Sequence, residues 1–467
     1  MKRVGSLLLM ALVAANVALA QGPVPETPTP PTPVAAIGTP VPTATAGSVF
    51  DFLRPRPSPT PAPTATPTPP PFGRPLRTVS NANRTLGASK SSGSIPAMKL
   101  IPDSELVNGP AAAGFDMGAF LDGRRGYLTR YSERVRDEVL SGEQIIDRVA
   151  YQFSVNPRLL LAMLEWQGGW LDDPNPTGNA RLYPYGEINA QRPNLYLQVA
   201  WAAARLNEGY YGVRLGTRQQ VALDSGAKLD LPAGVNAGTA GLMSYIAAVS
   251  GSRTWAQAMG EGGFMATYRS LFGDPAQYDA GPPVPAGTQQ PKLRLPWAEG
   301  ETWLFTGGAH SAWGVGAPWG AVDFTTASVG GCQPLPEWAL AVADGTIARS
   351  RNGEVGLSLH PGGDERVGWS VFYMHVGAVG RAASGTRVLA GDRIGHPACD
   401  GGLSIAAHLH IARKLNGEWL PALSAIPYTL GAWTFTEDEA EYDGYAIKGG
   451  EVREATETRD PAINGIH

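Results

Sequence analysis

The stretch Ile405-Ala-Ala-His-Leu-His-Ile411 decides the fold class of the C-terminal part of the chain. Apolar residues alternate here with two histidines, and a two-residue period is typical of a β-strand. In such a strand the side chains of His408 and His410 lie on one face, and Leu409 lies on the other. We therefore expect a strand that carries two imidazoles side by side.

Short runs of the same kind surround this stretch. They are Trp338–Val342, Thr346–Ala348 and Val371–Val376. Hairpin turn signals separate them, namely Asp344-Gly345, Asn352-Gly353 and Asn416-Gly417. Short alternating runs joined by such turns are typical of antiparallel sheets. We therefore predict an antiparallel β-rich C-terminal domain over residues 294–467.

All seven histidines of the chain lie between residues 310 and 467. His310 lies in a glycine-rich turn, and His375 lies in a strand-like run, where we expect it to face the same way as Tyr373. Asp323 has apolar neighbours in Ala321-Val-Asp-Phe324, which indicates a buried carboxylate. Such a carboxylate needs a partner, because an isolated charge in an apolar setting is costly.

Two imidazoles, a carboxylate and a water are the typical ligands of a catalytic zinc ion, with one position left open. His310, Asp323 and His410 would supply this set. His375 and His408 would then lie beside the metal but not on it. We expect these two side chains to transfer protons and to stabilise an oxyanion.

These residues resemble the motifs of the M23 family of peptidoglycan metallopeptidases, in particular its β-lytic and staphylolysin-like branch. The similar features are Gly-Gly-x-His310-Ser311, the thirteen-residue step from His310 to Asp323, Tyr373-x-His375, His408-x-His410, Tyr442-Asp-Gly-Tyr445 and Lys448-Gly-Gly450. The resemblance covers about residues 294–450. It implies a zinc ion bound by His310, Asp323 and His410, catalytic roles for His375 and His408, and a preference for glycyl bonds in peptidoglycan peptides.

The chain departs from the commoner M23 pattern at one position. That pattern has a histidine four residues before the aspartate, and here the position is Trp319. The longer step from His310 matches the staphylolysin-like branch, so we interpret the site as intact. Trp313 and Trp319 lie between two of the ligands, and they either line a narrow cleft suited to glycine-rich substrates or serve only in packing.

Residues 98–280 have helical patterns. Ser141-Gly-Glu-Gln144 has the spacing of a capping box, and apolar residues follow at helical intervals. Asn156-Pro157 is typical of a second helix start. Trp201–Leu206 and Gly241–Ala248 predict two more helices, and no strand alternation competes. We therefore expect an all-helical central domain.

The segment Ile145–Glu165 resembles the opening of lysozyme-like transglycosylase domains, in which a helix ends with a catalytic glutamate. The resemblance implies that Glu165 acts as a general acid on a glycosidic bond. The usual Glu-Ser of that family is Glu165-Trp166 here, and Gly241-Leu-Met-Ser244 lacks the glutamine of its Gly-Leu-Met-Gln motif. The alternative is a helical domain that binds or positions glycan, or that inhibits the enzyme as a pro-region does in related peptidases.

The N-terminal segment indicates export. Lys2 and Arg3, the apolar run from Leu7 to Leu19 and the small residues at its end predict a signal peptide over residues 1–20. Residues 21–97 are rich in Pro and Thr and predict a disordered linker, and residues 281–293 predict a second linker. We therefore expect a secreted or cell-envelope protein with no stable membrane span after signal cleavage.

The chain has two cysteines, Cys332 and Cys399. Because an exported protein enters an oxidising compartment, a disulfide between them is favoured over two buried thiols. In the chain-entropy model such a link contributes about 4 kcal/mol of stability.

The overall composition limits the function classes. A net charge of −4 gives no electrostatic case for nucleic-acid binding, and 467 residues favour two folded domains over one.

Three functions remain open. They are a zinc endopeptidase acting on bacterial peptidoglycan, a non-catalytic protein that binds cell-wall peptides or activates another hydrolase, and a glycan-cleaving enzyme acting through Glu165.

Overall fold

The computed structural model describes residues 98–316, 318–328 and 331–467. The predicted signal peptide and the predicted linker over residues 21–97 lie outside these ranges. The described residues belong to one compact unit. Within them, every helix is too short or too polar to cross a membrane.

Helices dominate the chain up to residue 280. Their bounds are α1 Asp103–Leu106, α2 Pro110–Ala113, α3 Met117–Leu121, α4 Gly142–Phe153, α5 Pro157–Gly168, α6 Gly178–Leu182, α7 Asn194–Arg214, α8 Ala237–Ala248, α9 Trp255–Met259 and α10 Phe264–Phe272. The four segments predicted as helical lie in α4, α5, α7 and α8. Two single 3₁₀ turns, Tyr127–Arg130 and Pro275–Tyr278, complete this part.

The predicted helix starts are confirmed in atomic detail. The Ser141 side chain accepts a hydrogen bond from the Gln144 backbone, and the Gln144 side chain accepts one from the Ser141 backbone. This capping box satisfies N–H groups that the helix itself leaves free. At the second start, the Asn156 side chain accepts from the Arg158 N–H, and Pro157 is the first helical residue.

The expectation of an all-helical region is wrong in one respect. Two hairpins interrupt the helices, formed by β1 Ser132–Val135 with β2 Glu138–Ser141 and by β3 Gln220–Ala222 with β4 Lys228–Asp230. Strands of three or four residues are too short to show a clear two-residue period, so their alternation was not visible in the sequence.

The C-terminal part is built from strands, and the predicted antiparallel β-rich fold is confirmed. Their bounds are β5 Trp303–Ser311, β6 Trp319–Thr325, β7 Ala339–Leu340, β8 Gly345–Arg351, β9 Glu354–Ser358, β10 Trp369–Met374, β11 Arg387–Val388, β12 Arg393–Gly395, β13 Leu409–Leu415, β14 Glu418–Trp419, β15 Tyr428–Leu430, β16 Trp433–Glu437, β17 Gly444–Lys448, β18 Glu451–Glu454 and β19 Gly465–Ile466. One short helix, α11 Pro461–Asn464, precedes the last strand.

Nine of these strands form the main sheet, in the order β11-β8-β9-β10-β13-β6-β5-β19, with β14 paired to β13. All of its neighbours are antiparallel. A second sheet has the order β15-β16-β17-β18. The turns at Asn352-Gly353 and Asn416-Gly417 have positive φ at both residues, as tight hairpins require. In the order of the main sheet, the strands β10, β13, β6 and β5 are consecutive neighbours.

The two faces of the main sheet pack against different parts of the chain. Val371, Tyr373 and Ile411 point into a core made of C-terminal residues alone. Phe372 and Ala412 point the other way, into a core shared with the helices. The helical region thus covers one face of the sheet. Because the two parts share this core, the domain boundaries at 280 and 294 stay predictions.

The predicted link between Cys332 and Cys399 is confirmed. The two residues form a disulfide, with their Cα atoms 5.2 Å apart. The bridge joins the segment that follows β6 to the segment that precedes β13.

Candidate metal centre

Three neighbouring strands bring His310, Asp323 and His410 together. His410 on β13 is the direct cross-strand partner of Asp323 on β6, and His310 on β5 pairs with Ala321 on β6. The possible ligand atoms of the three residues all lie within 4.8 Å of one another. Asp323 Oδ1 is 3.3 Å from His310 Nε2 and 3.3 Å from His410 Nδ1. Paired strands therefore assemble the predicted triad, and His310 lies on a strand, not in the glycine-rich turn that the sequence predicted.

Hydrogen bonds to backbone carbonyls define which ring nitrogens carry protons. His310 Nδ1 lies 2.8 Å from the Gly308 carbonyl oxygen, and His410 Nε2 lies 3.1 Å from that of Ala312. A carbonyl oxygen can only accept, so each of these nitrogens donates a proton. The other two nitrogens, His310 Nε2 and His410 Nδ1, face each other at 2.9 Å.

A cation fits this arrangement. In neutral rings the two facing nitrogens both present lone pairs, which repel each other unless a positive charge lies between them. Asp323 Oδ1 is buried beside them and accepts no hydrogen bond from any described residue. Buried polar atoms are rarely left without a partner. Two imidazole nitrogens and one carboxylate oxygen are also a common donor set for a divalent metal ion.

The pKa shifts describe the same electrostatic balance. Burial raises the pKa of Asp323, but His310 and His408 lower it more, so this pKa lies well below its ordinary value. Burial lowers the pKa of His310, yet the Asp323 carboxylate and the Gly308 carbonyl raise it more. Burial also lowers the pKa of His410. The carboxylate is therefore ionised and available as a ligand.

His375 and His408 lie together at the edge of the triad. Their ring centroids are 4.4 Å apart, and His408 Nε2 is 3.5 Å from Asp323 Oδ2. The ring centroids of His375 and His410 are 6.1 Å apart. Burial, followed by the neighbouring histidines, lowers the pKa of His375 well below its ordinary value. An uncharged imidazole in this position is able to accept a proton.

The predicted strand position of His375 is wrong, whereas His408 lies in an isolated β-bridge directly before β13 and beside the same carboxylate as His410. β10 ends at Met374, and β13 begins at Leu409, one residue after His408. His375 has a positive φ of 65°, which ends the alternation and turns its ring away from the face used by Tyr373. The ring therefore lies near His410, on the opposite face from the one that the sequence predicted.

The ring of Tyr442 lies against the triad, although the sequence predicted no site role for this residue. The Tyr442 ring stacks on His310 with the centroids 4.3 Å apart and the planes inclined by 16°. Beside it, Glu441 accepts hydrogen bonds from the backbone and the hydroxyl of Ser311. Tyr442 belongs to the C-terminal motif that carried the M23 resemblance, so the motif contained a signal for it.

Close contacts with Asp443 and Asp323 explain why the two residues that begin the Gly-Gly-x-His310 motif are glycines. A Cβ atom on Gly308 would lie 2.4 Å from the carbonyl carbon of Asp443, and one on Gly307 would lie 2.8 Å from Asp323 Oδ2. Real Cβ atoms do not make such contacts. The Gly-Gly pair therefore allows the Asp443 backbone and the Asp323 side chain to approach β5 closely.

The face of the sheet that carries the triad is the face covered by helices. Phe372 packs into the shared core, and its ring centroid is 6.1 Å from that of His410. Trp313 packs on Phe372, which favours the packing role of this tryptophan over cleft lining. His310, Asp323 and His410 are each no more than 7% exposed.

Polar contacts hold the helices on this face. Glu418 is fully buried, and it accepts hydrogen bonds from the Tyr210 hydroxyl at 2.7 Å and from Arg214 Nε at 3.0 Å. The Gln152 side chain donates to Glu354 at 2.6 Å. All three donors belong to α4 or α7, and both acceptors belong to the sheet.

Glu165 has a structural role in this fold. It lies near the end of α5, half-buried, and its Oε2 accepts a hydrogen bond from the Leu171 N–H at 2.7 Å. Burial raises the pKa of its carboxyl group. The carboxylate thus stabilises the turn after the helix, and its role as a general acid stays a prediction.

Comparison with known proteins relates the chain to peptidases. The family model described as "LasA, N-terminal domain" matches residues 99–285. Protease LasA of Pseudomonas aeruginosa, from each of two strains, is 27% identical, and the match covers 74% of this chain and 81% of that protein. The lysozyme-like resemblance of the helical region is not confirmed by these matches.

Solved structures of two peptidases are similar to part of the chain. The M23 metalloprotease pseudoalterin, from the deep sea, is 25% identical over 36% of this chain and 96% of its own, with a TM-score of 0.31. The catalytic domain of lysostaphin from Staphylococcus simulans is 24% identical over 26% of this chain and 89% of its own, with a TM-score of 0.19. The resemblance that the sequence motifs carry is confirmed: the chain is similar to M23 peptidoglycan metallopeptidases.

Proposed function

We propose that this protein is a secreted zinc endopeptidase that hydrolyses peptide bonds of bacterial peptidoglycan, with a preference for glycyl bonds. The observation that supports this most strongly is the convergence of His310 Nε2, His410 Nδ1 and Asp323 Oδ1 within 4.8 Å. Zinc is the proposed metal because it favours tetrahedral sites with nitrogen and oxygen ligands. The glycyl preference rests on the resemblance of the motifs.

In this proposal His310, Asp323 and His410 hold the zinc ion. A bound zinc ion lowers the pKa of its water towards neutrality and polarises the scissile carbonyl group. His375 and His408 take up the proton that is released and return it to the leaving amine. A ring that has taken up this proton on Nε2 also donates a hydrogen bond to the negative charge that develops on the carbonyl oxygen, because its Nδ1–H is bonded to a backbone carbonyl.

The helical region acts in this proposal as an inhibitory cover. It occupies the sheet face that an extended peptide must reach, and the buried contacts of Glu418 and Glu354 hold it there. Glu165 Oε2 accepts a hydrogen bond from the Leu171 N–H, which supports a structural role for this carboxylate over glycan cleavage. The connection to the sheet includes a mostly exposed stretch at residues 285–289, which suits proteolytic cleavage.

Digestion of purified peptidoglycan and of pentaglycine tests this function. We expect the wild-type chain to release new amino groups and His410→Ala to release none, because the variant lacks one metal ligand. Release should increase after limited proteolysis within residues 285–289 removes the helical region. No increase would contradict the covering role.

The same digestion separates the alternative functions. New reducing ends that disappear in Glu165→Gln would favour glycan cleavage by a lysozyme-like site. Binding to the wall without either product, before and after proteolysis, would favour a non-catalytic envelope protein.

A further inference from the structure

One short segment, Pro397–Asp400, supports both histidines of the proposed proton-transfer pair. The Ala398 N–H donates to the His375 carbonyl oxygen at 2.6 Å, and the His408 N–H donates to the Ala398 carbonyl oxygen at 3.2 Å. Isolated bridges pair Val376 with Pro397 and Ala398 with His408. We call residues 397–400 the platform.

The platform also orients the His375 ring. The Asp400 carbonyl oxygen accepts a hydrogen bond from His375 Nδ1 at 2.9 Å, which leaves Nε2 unprotonated. His375 has a φ of 65°, a conformation that non-glycine residues rarely adopt and that needs support from its surroundings. The platform supplies that support through one bond to the backbone of His375 and one bond to its ring.

The disulfide is attached at the centre of the platform. Cys399 lies between Ala398 and Asp400, the two residues that contact the histidines, and it is bonded to Cys332. The segment containing Cys332 has its own hydrogen bonds on both sides. The Leu335 N–H donates to the Pro397 carbonyl oxygen at 2.8 Å, and the Ala407 N–H donates to the Gly331 carbonyl oxygen at 2.7 Å.

The metal ligands are held in place by the main sheet and not by the platform. His310, Asp323 and His410 lie on β5, β6 and β13, which are paired strands within the main sheet. Their positions follow from the strand register. His375 and His408 lie just outside β10 and β13, where the ladder of hydrogen bonds has ended.

We propose that the Cys332–Cys399 disulfide is a positioning element for His375 and His408. The link holds the platform in place, and the platform fixes the two imidazoles beside the metal ligands. A chain without the disulfide keeps the arrangement of its three metal ligands and loses the alignment of His375 and His408. This inference rests on the proposed peptidase function.

The test compares the full-length wild type with Cys332→Ser, Cys399→Ser and the double variant. Zinc content, zinc affinity, and kcat and KM for pentaglycine are measured before and after limited proteolysis. We expect all three variants to lose kcat equally, by about 100-fold, a loss typical of misplaced acid–base groups. KM and zinc binding should be unchanged, because neither depends on the platform.

A second variant tests the platform with the disulfide intact. In Gly353→Ala the added Cβ would lie 2.3 Å from the Asp400 carbonyl carbon, so the variant disturbs the carbonyl group that orients the His375 ring. We expect the same selective loss of kcat. Val388→Ala, in a buried position on the edge strand β11, is the control for general loss of stability, and it should keep the wild-type kcat.

Two results would overturn the inference. One is a double variant with wild-type kcat, and the other is a loss of zinc that parallels the loss of kcat, which would indicate a general structural role. A wild-type chain that binds no zinc and cleaves no peptide bond would instead contradict the proposed function itself.

Discussion

Replacement of His375 with alanine is expected to reduce peptide-bond hydrolysis by about 10²- to 10⁴-fold while the chain still binds zinc. The reason is that the His375 ring lies beside the metal ligands and is not one of them. The His375 ring contacts the rings of His408 and His410, but its side chain is not part of the group formed by His310, Asp323 and His410. Its loss therefore removes proton transfer and leaves the metal ligands in place.

The measurement combines zinc content with kcat on pentaglycine for wild type, His375→Ala and His408→Ala. His360→Ala is the matched control, since His360 lies in a turn of the same domain, where its ring accepts a hydrogen bond from the Gly362 N–H. Loss of zinc from His375→Ala would identify His375 as a ligand. Full activity in His375→Ala would remove it from the mechanism.

Replacement of Glu365 with glutamine is expected to lower the free energy of unfolding by about 3–5 kcal/mol at neutral pH. Glu365 is buried between two cations, with Arg349 Nε at 2.8 Å and Lys414 Nζ at 3.2 Å. The neutral amide would leave both cations buried without their shared carboxylate. Removal of one member of a buried ion pair is far more costly than loss of a surface pair.

The pH dependence of stability provides a second measurement on the same residue. Burial raises the pKa of Glu365, but Arg349 and Lys414 lower it more, from 4.5 to about 2. A lowered pKa in the folded state stabilises the protein above pH 4.5, and this contribution disappears as the pH falls towards 2. Denaturant unfolding of Glu365→Gln should lack that part of the acid dependence.

A surface variant is the control for this prediction. Glu451 is partly exposed in its ion pairs with Lys448 and Arg453, so Glu451→Gln should change stability by less than about 1 kcal/mol. An equal loss in both variants, or no loss in Glu365→Gln, would contradict the structural role assigned to the buried cluster.

Local chemistry made much of the fold predictable. The capping box at Ser141 and the Asn156-Pro157 start act within a few residues, and both predictions are confirmed. The tight turns at Asn352-Gly353 and Asn416-Gly417 depend on glycine and asparagine tolerating positive φ, a preference that sequence alone reveals. The two-residue side-chain period of a strand likewise placed His410 and Leu409 on opposite faces of β13, both of which are buried.

Contacts between distant segments were not predictable in this way. The turn of the chain at His375 depends on the platform at residues 397–400, which no local pattern in Val371–Val376 reveals. Glu418 and Lys414 would be expected at the surface, because charged residues are seldom fully buried. They are buried because the helical region covers their face of the sheet.

The proposed metal centre is tested by zinc analysis of the purified full-length chain by mass spectrometry, with Asp323→Ala measured alongside. We expect about one zinc ion per wild-type chain and almost none in the variant, because Asp323 supplies the charged ligand. A metal-free wild-type chain that still cleaves pentaglycine, or an Asp323→Ala chain that keeps its zinc, would rule out this metal centre.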